Sequence, residues 1–203
     1  MVSQLLVVGI NGSPHVRGNT AFLLRQALEE CKKLGAVTKL INCQQILKDQ
    51  KNPFCMACAS PCPGKCFKGK ELSTAFELIS KTDGLLLGSP VYFGTVSAQL
   101  KAFWDKGRSL RGEKKLLNVV GGALAVGASR FGGQETTIRA IHDMLLIQGM
   151  ITVGDGYYQD DCGHMGGAAQ RPAEGDDNAI NRCRILGKRI FEVADATRKL
   201  RVR

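Results

Sequence analysis

A chain of 203 residues suits one globular unit with a sizeable core, since domains run to roughly 100–200 residues. Its 44% hydrophobic content, 24 glycines and 6 prolines match an ordinary soluble fold and exclude a disordered or collagen-like chain. The 28 basic against 18 acidic residues leave a formal charge of +10, which favours anionic partners without naming one. These basic residues are dispersed over 48–70, 101–115 and 198–203 with few aromatics between them, which disfavours nucleic acid.

The first ten residues hold an apolar run with no basic region before it and no small-residue cleavage site after it, so 5–10 reads as a strand rather than a targeting segment. Further apolar runs at 36–41, 84–89, 116–125 and 150–153 alternate with amphipathic segments, the pattern of parallel strands joined by crossover helices. The first helix opens at Asn19 and buries Leu24, Ala27, Leu28, Cys31 and Leu34, with Gly35 placed to end it. A helix over 97–107 follows the third strand. Ile138, Ile141, Leu145 and Gln148 outline another helical face, on which His142 reads as a surface residue. The last helix, about 176–200, repeats the pattern with Ile180, Cys183, Leu186, Ile190 and Val193.

Five such units predict a flavodoxin-like α/β fold, a doubly wound five-stranded parallel sheet of order 2-1-3-4-5, in one domain over 1–203. Two stretches, 50–70 and 154–177, are expected to lack regular structure, and function often concentrates in such loops. No run approaches the roughly 20 apolar residues of a membrane span. The run at 116–126 is short and interrupted by Asn118 and glycines. The expectation is a soluble cytoplasmic protein.

The turn after strand one, Asn11-Gly12-Ser13-Pro14-His15-Val16-Arg17-Gly18-Asn19-Thr20, leads straight into a helix. Ser13, Asn19 and Thr20 carry hydrogen-bonding side chains, Arg17 a charge, and the unpaired N–H groups and dipole of the helix start favour an anion. The turn lacks the Gly-Lys-Ser/Thr ending of a triphosphate loop, and strand two ends at Ile41-Asn42-Cys43 without the acidic residue of a dinucleotide site. A phosphate monoester such as that of FMN is left. The alternative is a plain helix cap by Asn19 or Thr20.

After strand three, Pro90, Val91, Tyr92, Phe93 and Gly94 would stand beside this turn, because ligands of this strand order sit between strands one and three. An aromatic loop with accessible backbone suits a flat isoalloxazine. It also suits simple packing on its own domain. The loop after strand four, with Ser129, Arg130 and Gly132, lies at the same sheet edge.

Four of the eight cysteines, Cys55, Cys58, Cys62 and Cys66, fall within twelve residues. Disulfides are disfavoured in the cytosol, so a metal accounts better for such density. A compact loop around one centre is more typical of iron–sulfur ligation than of zinc, whose ligand pairs usually come from separated segments. The spacing of two, three and three intervening residues differs from the two, two and three of the bacterial ferredoxin run. Zinc and redox-active thiols therefore stay open. Lys48, Lys51, Lys65, Lys68 and Lys70 flank the cluster, either to attract an acidic carrier such as a ferredoxin or as a solvated face. Cys31 and Cys183 read as core residues, Cys43 as either core or site, and Cys162 with His164 as the candidate catalytic pair.

Ser13-Pro14 with Gly18-Asn19-Thr20, and Ser89-Pro90-Val91-Tyr92-Phe93-Gly94 with Ser97-Ala98-Gln99-Leu100-Lys101, resemble the NAD(P)H-dependent FMN reductase superfamily, especially its iron-sulfur flavoproteins. The resemblance covers about 4–150 and is most specific over 90–105. It implies bound FMN and a homodimer or homotetramer. It further implies a [4Fe–4S] cluster on the cysteine loop after strand two, the cluster of one subunit serving the flavin of another, and electron exchange with NAD(P)H or a ferredoxin. His15 stands where the family commonly has arginine, which Arg17 is expected to replace. The competing expectations are an NAD(P)H-dependent FMN or quinone reductase with a structural zinc, and a zinc-stabilised interaction or nucleic-acid-binding module without catalysis.

Overall fold

A computed structural model describes residues 4–202, so the first three residues of the N-terminal run and the last of the basic tail lie outside the described residues. Strands β1 (Leu6–Asn11), β2 (Val37–Asn42), β3 (Gly84–Pro90), β4 (Val120–Gly127) and β5 (Ile151–Thr152) form a parallel sheet of order β2-β1-β3-β4-β5. Both faces of β1, β3 and β4 are covered, so alternate residues enter two cores. Val7, Leu86 and Leu124 face α1 (Asn19–Lys33) and α7 (Asp177–Ala196). Val8, Leu85, Leu87 and Ala125 face α3 (Glu71–Ile79), α4 (Ala98–Lys106) and α6 (Gln134–Leu146). Two short helices, α2 (Cys43–Ile46) and α5 (Arg108–Gly112), follow β2 and α4.

The helices α1 and α7 touch through Gly187, where an added Cβ would strike the Ala27 carbonyl. In that gap Cys31 Sγ donates to the Gly187 carbonyl over 3.1 Å. The expected core roles of Cys31 and Cys183 follow from their complete burial. Burial pushes the Cys31 thiol up to about 12 and raises Cys183 as well. Cys43 is also fully buried and its thiol pushed up, which makes it a core residue.

Four expectations are corrected. Leu34, expected on the buried face of the first helix, is exposed, because α1 ends at Lys33 and Leu34 is already its C-cap. The fourth strand begins later than 116, because Asn118 turns through the left-handed region (φ 62°) and its N–H bonds to the Gly149 carbonyl. The stretch 154–177 is not wholly irregular: Gly167–Gln170 forms β6, which pairs with β4. Since β5 pairs with Val120 and Gly121 and β6 with 124–127, the two are halves of one edge strand interrupted by an excursion over 153–166. Its Gly-Ala-Ala-Gln sequence carries no β-branched or aromatic residue, so periodicity had nothing to register. His142 is half-buried rather than on the surface, with Nε2 unpartnered, and desolvation lowers its pKa. Among the described residues no helix is long and apolar enough to cross a membrane.

Candidate functional site

Parallel strands place the ends of β1, β3 and β4 at one edge of the sheet, and the loop after β1 is held there by polar side chains. Asn11, fully buried, accepts from the Ser13 N–H through Oδ1 (3.0 Å) and donates through Nδ2 to Asn42 Oδ1 (2.9 Å). Ser13 Oγ accepts from the His15 N–H (3.1 Å), and the Gly12 N–H donates to the Gly88 carbonyl (2.8 Å). Ser97 links this loop to the next: its Oγ donates to the Gly12 carbonyl (2.5 Å) and caps α4 by accepting from the Leu100 N–H (3.1 Å).

A cavity of ≈ 160 Å³ opens between the loops, lined by Ser13, His15, Gly18, Asn19, Thr20, Pro90, Val91, Tyr92, Val126, Gly127, Ala128 and Arg171. Helix α1 starts beside it with Gly18 as N-cap and no side-chain capping bond, which removes the plain-cap alternative for Asn19 and Thr20. Asn19 instead accepts from the Ala173 N–H through Oδ1 (2.8 Å), so its Nδ2 is the remaining donor group. The uncapped helix start, with its partial positive charge, faces a concavity holding one guanidinium and several hydroxyl and amide groups.

The structure brings together seven of the thirteen residues expected to hold the cofactor, Ser13, His15, Asn19, Thr20, Pro90, Val91 and Tyr92. Arg17 is exposed and does not line the cavity; the cation there is Arg171, just after β6. Its backbone N–H bonds to the Gly127 carbonyl (3.0 Å), which ties it to the end of β4. Because β6 was illegible, Arg171 gave no signal in the sequence. Ser129, Arg130 and Gly132 also lie off the cavity wall. Buried Gln134 ties their loop down, donating to the Ser129 carbonyl (2.7 Å) and accepting from the Gly132 N–H (2.9 Å). Phe93 and Gly94 form the tip of a two-residue turn in which both φ angles are positive (50° and 79°), closed by Tyr92–Thr95 backbone bonds of 3.0 and 3.2 Å. That turn holds the Phe93 ring fully in solvent, beyond the cavity, as Phe131 stands on the adjacent loop.

The four clustered cysteines lie between α2 and α3 and line a second cavity of ≈ 550 Å³, together with Lys51, Lys65, Lys70, Lys106 and Arg108. Among the described residues no three His, Cys, Asp or Glu side chains stand close enough to hold a metal ion, so the thiols share a cavity without being gathered. Phe67 anchors the loop, its ring meeting Phe76 edge-on at 5.0 Å between centroids. Lys106 enters from α4, with Nζ 3.9 Å from Cys66 Sγ. Four cysteines lining one cavity with cations on its wall are a donor set that suits an anionic metal–thiolate centre.

Cys162 and His164 sit on the excursion at 153–166, both exposed, and neither lines the cavity at the sheet edge. His164 Nδ1 lies 3.7 Å from Asp161 Oδ2 and borders a separate cavity beside Phe131 and Gln134. The excursion is pinned by a buried ion pair between Arg182 and Asp155, and Arg182 also donates to the Asp161 carbonyl (2.9 Å).

A doubly wound sheet with an anion-suited cavity at its switch point defines the flavodoxin-like class. The family model for NADPH-dependent FMN reductase matches residues 5–164. Over 199 residues the chain is 44% identical to the iron-sulfur flavoprotein MJ1083 of Methanocaldococcus jannaschii, covering 95% of this chain and 99% of that protein. It is 35% identical over 198 residues to an iron-sulfur flavoprotein of Methanosarcina thermophila, with 96% and 98% covered. The crystal structure of RosB with a bound riboflavin 5′-phosphate derivative shares the fold at a TM-score of 0.76 and 14% identity, over 98% of this chain and 82% of RosB. The chain thus belongs to the NADPH-dependent FMN reductase family of flavin-dependent oxidoreductases, among its iron-sulfur flavoproteins.

Proposed function

We propose that this oxidoreductase binds FMN at the sheet edge and exchanges electrons between it and a [4Fe–4S] cluster on Cys55, Cys58, Cys62 and Cys66. The observation that carries the reading is that all four cysteines and a buried cation line one cavity, in a chain whose relatives are named iron-sulfur flavoproteins. When bound, FMN supplies both two-electron and one-electron chemistry and the cluster supplies single-electron chemistry.

In this reading Ser13, His15, Asn19, Thr20 and Arg171 bind the phosphate, with the N-terminus of α1 adding its dipole. At ≈ 160 Å³ the cavity is smaller than the roughly 300–1,000 Å³ of whole-ligand pockets. It therefore takes the phosphate end, and the isoalloxazine lies outward along Pro90, Val91 and Tyr92. Phe93 and Phe131 stay in solvent on that rim, which is the natural place for a second subunit to cover the ring in a homodimer or homotetramer. A partner cluster would then reach the flavin. The family name favours reduced nicotinamide as one donor, and the solvated Lys51 and Lys65 favour an acidic ferredoxin-like carrier as the other.

One anaerobic preparation tests this. The expected result is a flavin spectrum with stoichiometric FMN, iron and acid-labile sulfide. Zinc without iron would replace the cluster by a structural metal, and absence of flavin would remove the reading altogether.

A further inference from the structure

Lys106 is the last residue of α4 and is 3% exposed. An ammonium on a side chain so little exposed is costly unless an anion meets it. Among the described residues its Nζ has no carboxylate within ion-pair distance, and its one hydrogen-bonding partner is Cys66 Sγ at 3.9 Å. The other lysines on the cavity wall differ in kind: Lys51 and Lys65 are exposed, so water and salt screen them, and half-buried Lys70 is turned to the Asp49 carbonyl (3.2 Å).

We propose that Lys106 is the internal counter-charge of the metal–thiolate centre, donating an N–H···S hydrogen bond to the Cys66 thiolate and thereby raising the reduction potential of the cluster. The inference rests on the cluster reading above. One electron from the donor adds one negative charge to the iron, sulfide and thiolate assembly. A fixed buried cation attracts the reduced form more strongly than the oxidised form. Hydrogen bonds to sulfur and local charge are among the determinants of such potentials. No covalent bond to the lysine is made or broken.

Its position adds a structural reason. Helix α4 begins at Ser97, which holds the Gly12 carbonyl of the first loop, and ends at Lys106. One rigid helix thus sets both the flavin-side loop and the charge beneath the cysteines.

The test compares native protein with Lys106→Met and Lys106→Arg. Iron, sulfide and FMN are quantified, and a potentiometric titration follows the cluster by electron paramagnetic resonance with the flavin couple as internal control. Lys106→Met is expected to keep FMN and cluster while the equilibrium constant for cluster reduction falls about tenfold, a shift of about 59 mV to lower potential for one electron. Lys106→Arg should stay within about threefold of native, and the flavin couple should not move in either variant. A fully loaded Lys106→Met with the native cluster potential overturns the proposal and leaves the cluster reading standing, as does an equal shift in both variants. Loss of the cluster from Lys106→Met alone, with FMN retained, supports the counter-charge. Loss from both variants with FMN retained overturns it. Native protein without iron and sulfide removes the cluster reading and this proposal with it.

Discussion

The loop edge of the sheet and the cysteine loop are built on opposite principles. At the sheet edge Asn11, Ser13, Thr20, Ser89 and Ser97 are all buried, and backbone and side-chain bonds tie the loop after β1 to β3 and α4. Asn11, Ser13, Ser89 and Ser97 are each satisfied by a neighbour, so the loops around the cavity are set by the fold. The cysteine loop has Gly64 and Phe67 as its buried residues over 51–70, and its thiols are not gathered. It is fastened at Phe67, at Lys70, whose Nζ donates to the Asp49 carbonyl (3.2 Å), and at Lys106. A preformed site costs little to occupy, whereas a loosely held loop draws its final order from the bonds to its ligand.

The largest effect that would break this contrast concerns the cysteines. Replacing Cys58 by serine is expected to abolish iron and sulfide incorporation while FMN content stays native. Joint loss of both cofactors would show that the two regions do not act separately. Next in size, Arg171→Ala should weaken FMN binding about ten- to hundredfold, the worth of one hydrogen bond to a charged group. Fluorescence titration of the apoprotein measures it, and unchanged iron content would sharpen the separation. An unchanged affinity would return the role to Arg17.

The smallest effect tests the half-buried His142, which packs where the excursion closes and shares a hydrogen bond with the Met165 backbone. Desolvation holds its folded pKa below the usual 6.5, so the unfolded chain takes up the proton first. Its contribution to stability is therefore whole above pH 6.5 and declines as pH falls toward the lower folded value. Urea unfolding from pH 7 to pH 5 should show a steeper loss for the native chain than for His142→Gln. Parallel slopes would remove His142 from the account.

The strand order, the first helix, the two loops at the switch point and the core placement of Cys31 and Cys183 were all legible in the linear chain. They depend on hydrophobic period and on turn residues adjacent in sequence, signals that survive without any tertiary contact. The cysteine density was equally plain, because four cysteines within twelve residues need no fold to be noticed. Only the tertiary structure decided which cations stand at each cavity. Arg171 reaches the anion cavity through β6, a strand of small residues whose pairing with β4 is its sole mark. Lys106 looks like any lysine closing an amphipathic helix until the cysteine loop folds over it. Burial is a property of the packed neighbourhood and not of the residue, and it turns an ordinary surface charge into one that must be answered by an anion.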